Sequence, residues 1–309
     1  MIVLPDADGL RRAAELLRAG SVVAFPTETV YGLGADAFSA AAVAEIYRLK
    51  NRPSWNPLIV HVADVAAARS LAASWPAVAD ELAARFWPGP LTLVVRRAGH
   101  LPEVGAKTGG TIAIRIPAHE VALGLLTTAG IPLAAPSANK SESISPTTAE
   151  HVMRSLPDVP LVLDGGPASW GIESTVVDLT GPVPRLLRPG ALPLRDIRDI
   201  TGKLALPDEV ADGSARPSPG MSKRHYAPRA RLVLASDISE IPDGAGALTY
   251  VDLPGAEVLS SDPREYAADL YAALHRLDDR GVATIIVQAP PETEEWLAVR
   301  DRLSRAAAS

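Results

Sequence analysis

AFPTETVYGLGADAF, Ala24 to Phe38, is the stretch on which the reading of the fold turns. Its Gly32-Leu33-Gly34-Ala35-Asp36-Ala37 satisfies the G-x-G-x-x-G/A spelling of a dinucleotide-binding turn. Such a turn needs a strand running straight into the first glycine and an acid closing the next strand about 20 residues on. Here the strand VVAF is broken by Pro26, and Thr27-Glu28-Thr29 interposes a polar step. The next apolar run, PLIVHV, reaches its acid only at Asp64, with the basic loop LKNRPSWNP between. The spacing therefore speaks against a Rossmann nucleotide site. It predicts glycines that let the backbone approach a neighbour closely at a turn.

On both sides of this stretch apolar strands alternate with amphipathic helices. DADGLRRAAELLRAG predicts a helix with Asp6 or Asp8 as N-cap and Gly20 past its end. Further helices are expected over SAAAVAEIYRLK, over VAAARSLAA capped by Asp64, over AVADELAARFW up to Pro88-Gly89-Pro90, and over EVALGLLTTAG. Thr147-x-x-Glu150 reads as a capping box opening one more. The strands are SVVAF, PLIVHV, LTLVVRR, TIAIRIP, PLAAP, PLVLD, STVVDL and PRLLRPG. The class is α/β, with a first domain expected over residues 1–192. From Pro193 to Ala230 the pattern dissolves into Pro, Gly, Ser and Arg, a linker unusually long for a passive connection. Beyond it RLVLA, GALTYV, PREYAADLYAALHRLDDRG, VATIIVQ and EEWLAVRDRLSRAAA predict a small second α/β domain over 231–309.

Composition narrows the chemistry. In 309 residues, 47% hydrophobic, there is no cysteine, which excludes disulfides, thiolate metal sites and cysteine nucleophiles. Neither a signal peptide nor a membrane span is recognisable, so a cytoplasmic protein without membrane attachment is expected. A net charge of −6 argues against bulk nucleic-acid binding. Charge is uneven, however: Gly213 to Ser236 holds no acid but five Lys/Arg.

Polar residues collect where apolar strands end. AFP leads to Thr27, Glu28, Thr29 and Tyr31; Lys50, Arg52, Ser54 and Asn56 precede PLIVHV, which contains His61. PLAAP leads to Ser137, Ala138 and Asn139, then Ser143 and Ser145, and LVLDGG leads to Glu173, Ser174 and Thr175. Arg115 and Arg188 lie inside strand patterns. Loops beyond neighbouring strand ends are where open α/β sheets hold ligands. Arginine grips phosphate or carboxylate through paired hydrogen bonds, and hydroxyls can line a phosphate path. With no G-x-S-x-G elbow, Walker lysine or His-rich metal cluster, the set suits phosphoryl or nucleotidyl transfer by positioning and charge stabilisation. Singly, each residue has a bland alternative: Arg48, Lys50 and Arg52 as a solvated helix end, His61 as a core histidine, Ser137 and Asn139 as a turn. Glu28 and Glu173 could hold Mg²⁺ or merely cap loop amides.

Taken together, FPTETVYGLGADA, LKNRPSWNPLIVHV, WPGPLTLVV, TIAIRIPAH, PLAAPSAN, SPTTAEHV, GIESTVVDL and LLRPG resemble the L-threonylcarbamoyladenylate synthase (YrdC-like) family. The PGMSKRHYAP segment and the α/β tail resemble its longer, two-domain branch. The resemblance implies a YrdC-like open twisted mixed sheet, a smaller Rossmann-like C-terminal domain, and a basic linker over 193–230 acting as a lid. It implies that L-threonine, bicarbonate or CO₂, and ATP give threonylcarbamoyl-AMP and diphosphate, opening the route to N6-threonylcarbamoyladenosine at position 37 of tRNA. Mg²⁺ is expected with ATP, its ligands unspecified, and a tRNA threonylcarbamoyltransferase complex is an expected indirect partner.

By that resemblance Lys50, Arg52 and Arg115 are catalytic. Arg52, Asn56, Thr111, Ala135, Ser137, Asn139, Ser145 and Arg188 bind ATP, and Thr29, His61, Arg115 and Ser174 hold threonine. Lys223 stands where related sequences often carry an aromatic residue; it is expected at the nucleotide, with His225 or Tyr226 as alternatives for that role. Two rival readings stay open at this point: a carbamoyltransferase module of the same fold, disfavoured by the missing zinc-binding cysteines, and a double-stranded RNA-binding protein, disfavoured by the acidity.

Overall fold

The computed structural model describes residues 1–99, 101–104, 109–206 and 225–308. In chain order the first unit comprises β1 (Ile2–Val3), α1 (Ala7–Arg18), β2 (Val23–Phe25), β3 (Gly32–Asp36), α2 (Ala40–Lys50), β4 (Ile59–His61), α3 (Val65–Ser70) and α4 (Ala77–Phe86). There follow β5 (Leu91–Arg96), β6 (Thr111–Arg115), α5 (Glu120–Ala129), β7 (Leu133–Ala134), α6 (Ala149–Ser155), β8 (Val162–Leu163), β9 (Thr175–Asp178), β10 (Arg185–Arg188) and α7 (Leu194–Thr201). The strands form one mixed sheet in the order β1-β8-β2-β3-β7-β4-β6-β5-β9-β10.

Period-two alternation sends successive side chains to opposite faces, so each strand serves two cores. Val23 and Phe25 pack with Ala13, Leu17, Leu125 and Leu126 of α1 and α5. Ala24, between them, faces the larger core with Ile46, Leu82 and Val152 of α2, α4 and α6. Asp6, Ser39 and Asp64 cap α1, α2 and α3 by accepting backbone N–H bonds. Thr148, not Thr147, caps α6, accepting from the His151 N–H.

The glycine motif is a strand and not a turn. Gly32–Asp36 pairs antiparallel with β2, placing Gly34 opposite Val23 and Gly32 opposite Phe25. The ring of Phe25 lies across both glycines; a Cβ on Gly34 would come within 2.8 Å of Phe25 Cε1. The close approach is real, but the neighbour is a core aromatic ring.

The expected linker is ordered at its start. Leu192, Leu194 and Ile197 join the core of the first unit, and Ala205 bridges to Arg185. An amphipathic turn of helix, α7, was hidden there among arginines and aspartates.

The second unit comprises β11 (Arg231–Ala235), β12 (Ala245–Thr249), β13 (Glu257–Val258), α8 (Pro263–Asp279), β14 (Thr284–Gln288), a 3₁₀ turn at Glu294–Trp296 and α9 (Leu297–Ala307). Its sheet, β11-β14-β12-β13, is wholly parallel. One hydrophobic cluster spans both units: Val30, Ile144 and Ile172 of the first pack with Tyr226, Tyr271 and Leu274. Gly171 lets α8 come this close. Its φ is +68°, and a Cβ there would lie 2.0 Å from the Ala268 carbonyl oxygen. Among the described residues no helix is long and apolar enough to cross a membrane.

Candidate active site

Loops from separate strands meet in one cavity. After β2, Thr27 folds the chain into a tight turn: its Oγ1 accepts from the Thr29 and Val30 N–H groups, each at 3.2 Å, and donates to Val30 O at 2.6 Å. That turn presents Thr29. Parallel strands β4 and β6 place His61 and Arg115 side by side as register partners at their carboxyl ends. Ala135 and Ser137 follow β7, Glu173 and Ser174 precede β9, and Arg188 ends β10. Thr29, Arg52, His61, Arg115, Ala135, Ser137, Ser174 and Arg188 all line this cavity, joined by Glu173, His225 and Tyr226.

Four expected residues stand behind the wall. Lys50 is buried and donates to Ser137 O at 2.6 Å and to Asn139 O, so it holds the loop that carries Ser137. Asn56 accepts from Arg52 Nη2 at 2.6 Å through its Oδ1, and Arg52 also donates to the Asn56 and Pro57 carbonyls. Asn139 donates to Lys140 O and Ser143 O, fixing the next turn. Ser145 donates its single hydroxyl proton to Glu173 Oε1 at 2.6 Å. It therefore has no proton to offer a phosphate in this state. Thr111 is elsewhere: it opens β6, about 13 Å along the strand from Arg115, and lines a separate cleft with Pro57, Leu58 and Arg97. Lys223 lies outside the described residues, whereas His225 and Tyr226 reach the cavity wall.

The cavity is cationic, and each charge is braced. Arg115 donates from Nη1 to Thr29 Oγ1 at 2.9 Å and from Nε to Gly89 O at 3.2 Å, with Nη2 2.8 Å from Glu28 Oε2. That last contact is an ion pair without hydrogen-bond alignment, since both Glu28 oxygens and Nη2 lack a hydrogen-bond partner. Arg188 grips Ser174 twice, Nε to its carbonyl at 3.1 Å and Nη2 to its Oγ at 3.0 Å. Burial pushes Arg52 down to about 10 and Lys50 well below the ordinary lysine range, Lys50 further lowered by Arg52. Burial takes His61 and His225 down to about 3, so both imidazoles are neutral at neutral pH. For Glu173 burial acts upward, but Arg302 and Arg188 outweigh it and hold the carboxyl at about 2.

Two contributors come from the far end of the chain. Arg302 of α9 donates from Nε to Glu173 Oε2 at 2.8 Å, and the Tyr271 hydroxyl of α8 donates to the same oxygen at 3.1 Å. Sequence reading missed both. The available signal was that Arg302 shares the buried face of α9 with Val299, Leu303 and Ala306, where i, i+3, i+4 spacing leads one to expect apolar residues.

This constellation, cations and hydroxyls from separate loops without a nucleophile, can be compared with known proteins. The Sua5/YciO/YrdC family model, described as "Telomere recombination", matches residues 15–190. The "Threonylcarbamoyl-AMP synthase, C-terminal domain" model matches 192–308. The chain belongs to the threonylcarbamoyl-AMP synthase family. The protein of that name from Pyrococcus abyssi is 41% identical, covering 96% of this chain and 93% of its own. The one from Bacillus subtilis is 42% identical over 96% and 92%. P. abyssi Sua5 complexed with L-threonine superposes with a TM-score of 0.88 at 40% identity, covering 96% of this chain and 94% of that one. Membership makes this chain a transferase-type enzyme with the family's two-domain architecture. A part of full-length HypF, 28% of that chain against 58% of this one, shares the fold alone, at 20% identity and a TM-score of 0.51.

Proposed function

We propose that this chain condenses L-threonine, bicarbonate or CO₂, and ATP into L-threonylcarbamoyl-AMP with release of diphosphate, the first step towards N6-threonylcarbamoyladenosine at position 37 of tRNA. The observation that carries the reading is the meeting of Arg52, Arg115, Ser137, Ser174 and Arg188 in one cavity, in a chain of this family. Arg115, held by Thr29 and Glu28, takes the amino-acid carboxylate as a fixed cation. Thr29, Ser174 and the neutral His61 read the amino acid's remaining polar groups. Arg52 and Arg188, with Ser137, hold the nucleotide phosphates; Lys50, Asn56, Asn139 and Ser145 act by bracing them.

The threonine amine and bicarbonate form a carbamate with loss of water. A carbamate oxygen then attacks the α-phosphorus of ATP, the P–O bond to the β-phosphate breaks, and diphosphate leaves. No enzyme nucleophile is required; guanidinium groups offset charge that moves onto the diphosphate. Mg²⁺ accompanying the nucleotide would be held chiefly by phosphate and water and would offset phosphate charge. Among the described residues no group of three or more His, Asp or Glu could cage a metal, and both Glu173 oxygens are engaged by protein donors.

Residues 1–192 carry the chemistry in this proposal, and the linker over 193–230, of which 207–224 lie outside the described residues, acts as a lid that keeps water from the mixed anhydride. The product passes to a tRNA threonylcarbamoyltransferase complex in the cytoplasm. Diphosphate release measured with each substrate omitted in turn tests the reading. It should require ATP, threonine and bicarbonate together; release independent of threonine would reject it.

A further inference from the structure

Glu173 is a problem for a phosphate site. It lines the cavity beside Arg52 and Arg188, and a carboxylate there repels a polyphosphate. Among the described residues the first unit gives it only the Ser145 hydroxyl as a direct hydrogen-bond donor. Arg188 of the first unit acts on it from a distance, but the cation in direct contact comes from 129 residues away: Arg302, 1% exposed, contacts Glu173 Oε2 and is tied to Pro189 O at 3.0 Å and Asp301 at 2.7 Å. The guanidinium lies 5.0 Å over the ring of Tyr226, itself part of the cavity wall. Tyr271 adds a neutral donor. Among the described residues the Arg302 Nη2 and the Tyr226 hydroxyl have no hydrogen-bond partner, although both are buried.

We propose that Arg302 is a positioning residue supplied by the second unit, which neutralises and orients Glu173 so that nucleotide phosphates can enter a cavity built mainly by the first. The second unit then does more than cover the site. Docking α8 and α9 converts a repulsive carboxylate into one half of a neutral pair, so nucleotide affinity depends on the two units being together. The inference rests on the reading that the cavity holds ATP.

The test is equilibrium binding of a non-hydrolysable ATP analogue and of L-threonine to the full chain and its variants, with folding checked by circular dichroism. Arg302→Met should weaken the ATP analogue about ten- to a hundredfold, with a much smaller effect on threonine. Arg302→Lys, which keeps the charge, should recover part of the loss. Arg302→Met combined with Glu173→Gln removes the uncompensated carboxylate while keeping an acceptor for Ser145, and should recover nucleotide binding. A folded Arg302→Met that binds the analogue like the wild type overturns the inference. So does a folded double variant that stays as weak as the single one, because a purely structural role gives no reason for rescue. Should Arg302→Met fail to fold, the double variant alone decides: binding of the analogue near the wild-type level supports the inference, and a folded double variant about ten- to a hundredfold weaker than the wild type overturns it. A wild-type chain that binds threonine but no ATP analogue would instead remove the functional reading beneath it.

Discussion

Gly171→Ala tests the docking on which the cavity depends. A methyl at this position would start 2.0 Å from Ala268 O and 2.6 Å from Ala267 O, both backbone atoms of α8. No side-chain rotation relieves such a contact. To reach even 3.0 Å, helix and loop must part by about 1 Å. The Tyr271 hydroxyl, now 3.1 Å from Glu173 Oε2, and His275 Nε2, 3.1 Å from Ser145 O, would then stand near 4 Å, beyond hydrogen-bond range. A left-handed φ costs an L-residue about 1–2 kcal/mol, and a lost hydrogen bond to a charged group about 1.5–3. The substitution should therefore cost on the order of 3–5 kcal/mol, a large share of the ~5–15 kcal/mol that holds a domain folded. Urea unfolding followed by tryptophan fluorescence reads the stability, and threonine-dependent diphosphate release reads the site. A variant with the wild-type midpoint and full turnover would refute the close packing of Gly171 on α8.

Three other outcomes follow from the same geometry. Arg115→Ala leaves Glu28 buried without its cation and should destabilise the fold by about 3–5 kcal/mol; adding Glu28→Gln should return a good part of it, and a double variant no more stable than the single would show that the pair is not the cause. Gly34→Ala places a methyl 2.8 Å from Phe25 Cε1 and should cost about 1–3 kcal/mol by overpacking; thermal unfolding at the wild-type temperature would contradict the strand reading of the motif. Stability should also fall on acidification. His61 and His225 are held at about 3 against an ordinary 6.5, so the folded state resists protonation: their contribution is complete above pH 6.5 and is lost as pH falls towards 3. Each adds a slope of up to about 1.4 kcal/mol per pH unit. Glu173, held at about 2 against an ordinary 4.5, contributes above pH 4.5 and loses that contribution between 4.5 and 2. Unfolding free energy that stays flat from pH 7 to 5 would count against the buried neutral histidines.

Much of this was legible in the amino-acid order because the signals are local. Asp6, Ser39 and Asp64 sit immediately before apolar periodicity, and short apolar runs mark most strands. The cavity was legible for a related reason: its side chains follow or end strands, and neighbouring strand ends converge. What stayed hidden depends on partners distant in sequence. Glycines Gly32 and Gly34 read as a turn because nothing local shows that the Phe25 ring fills the space a side chain would need. The helix Leu194–Thr201 is short and rich in charge, so its few core contacts did not register. Lys50 reads as a catalytic cation or a solvated helix end, but its side chain turns to the Ser137 and Asn139 carbonyls, a choice set by where the 137–139 loop passes the end of α2. Arg302 stands at an apolar position of α9, but nothing near it in sequence names Glu173 as the partner that makes its burial possible.

The central claim is that one cavity holds the amino acid by Arg115 and the nucleotide by Arg52. Isothermal titration of L-threonine and of a non-hydrolysable ATP analogue into the wild type, Arg115→Lys and Arg52→Ala addresses it directly. Arg115→Lys should chiefly lose threonine and Arg52→Ala chiefly the nucleotide, each by about 1.5–3 kcal/mol. Folded variants that both bind both ligands with wild-type affinity would contradict it.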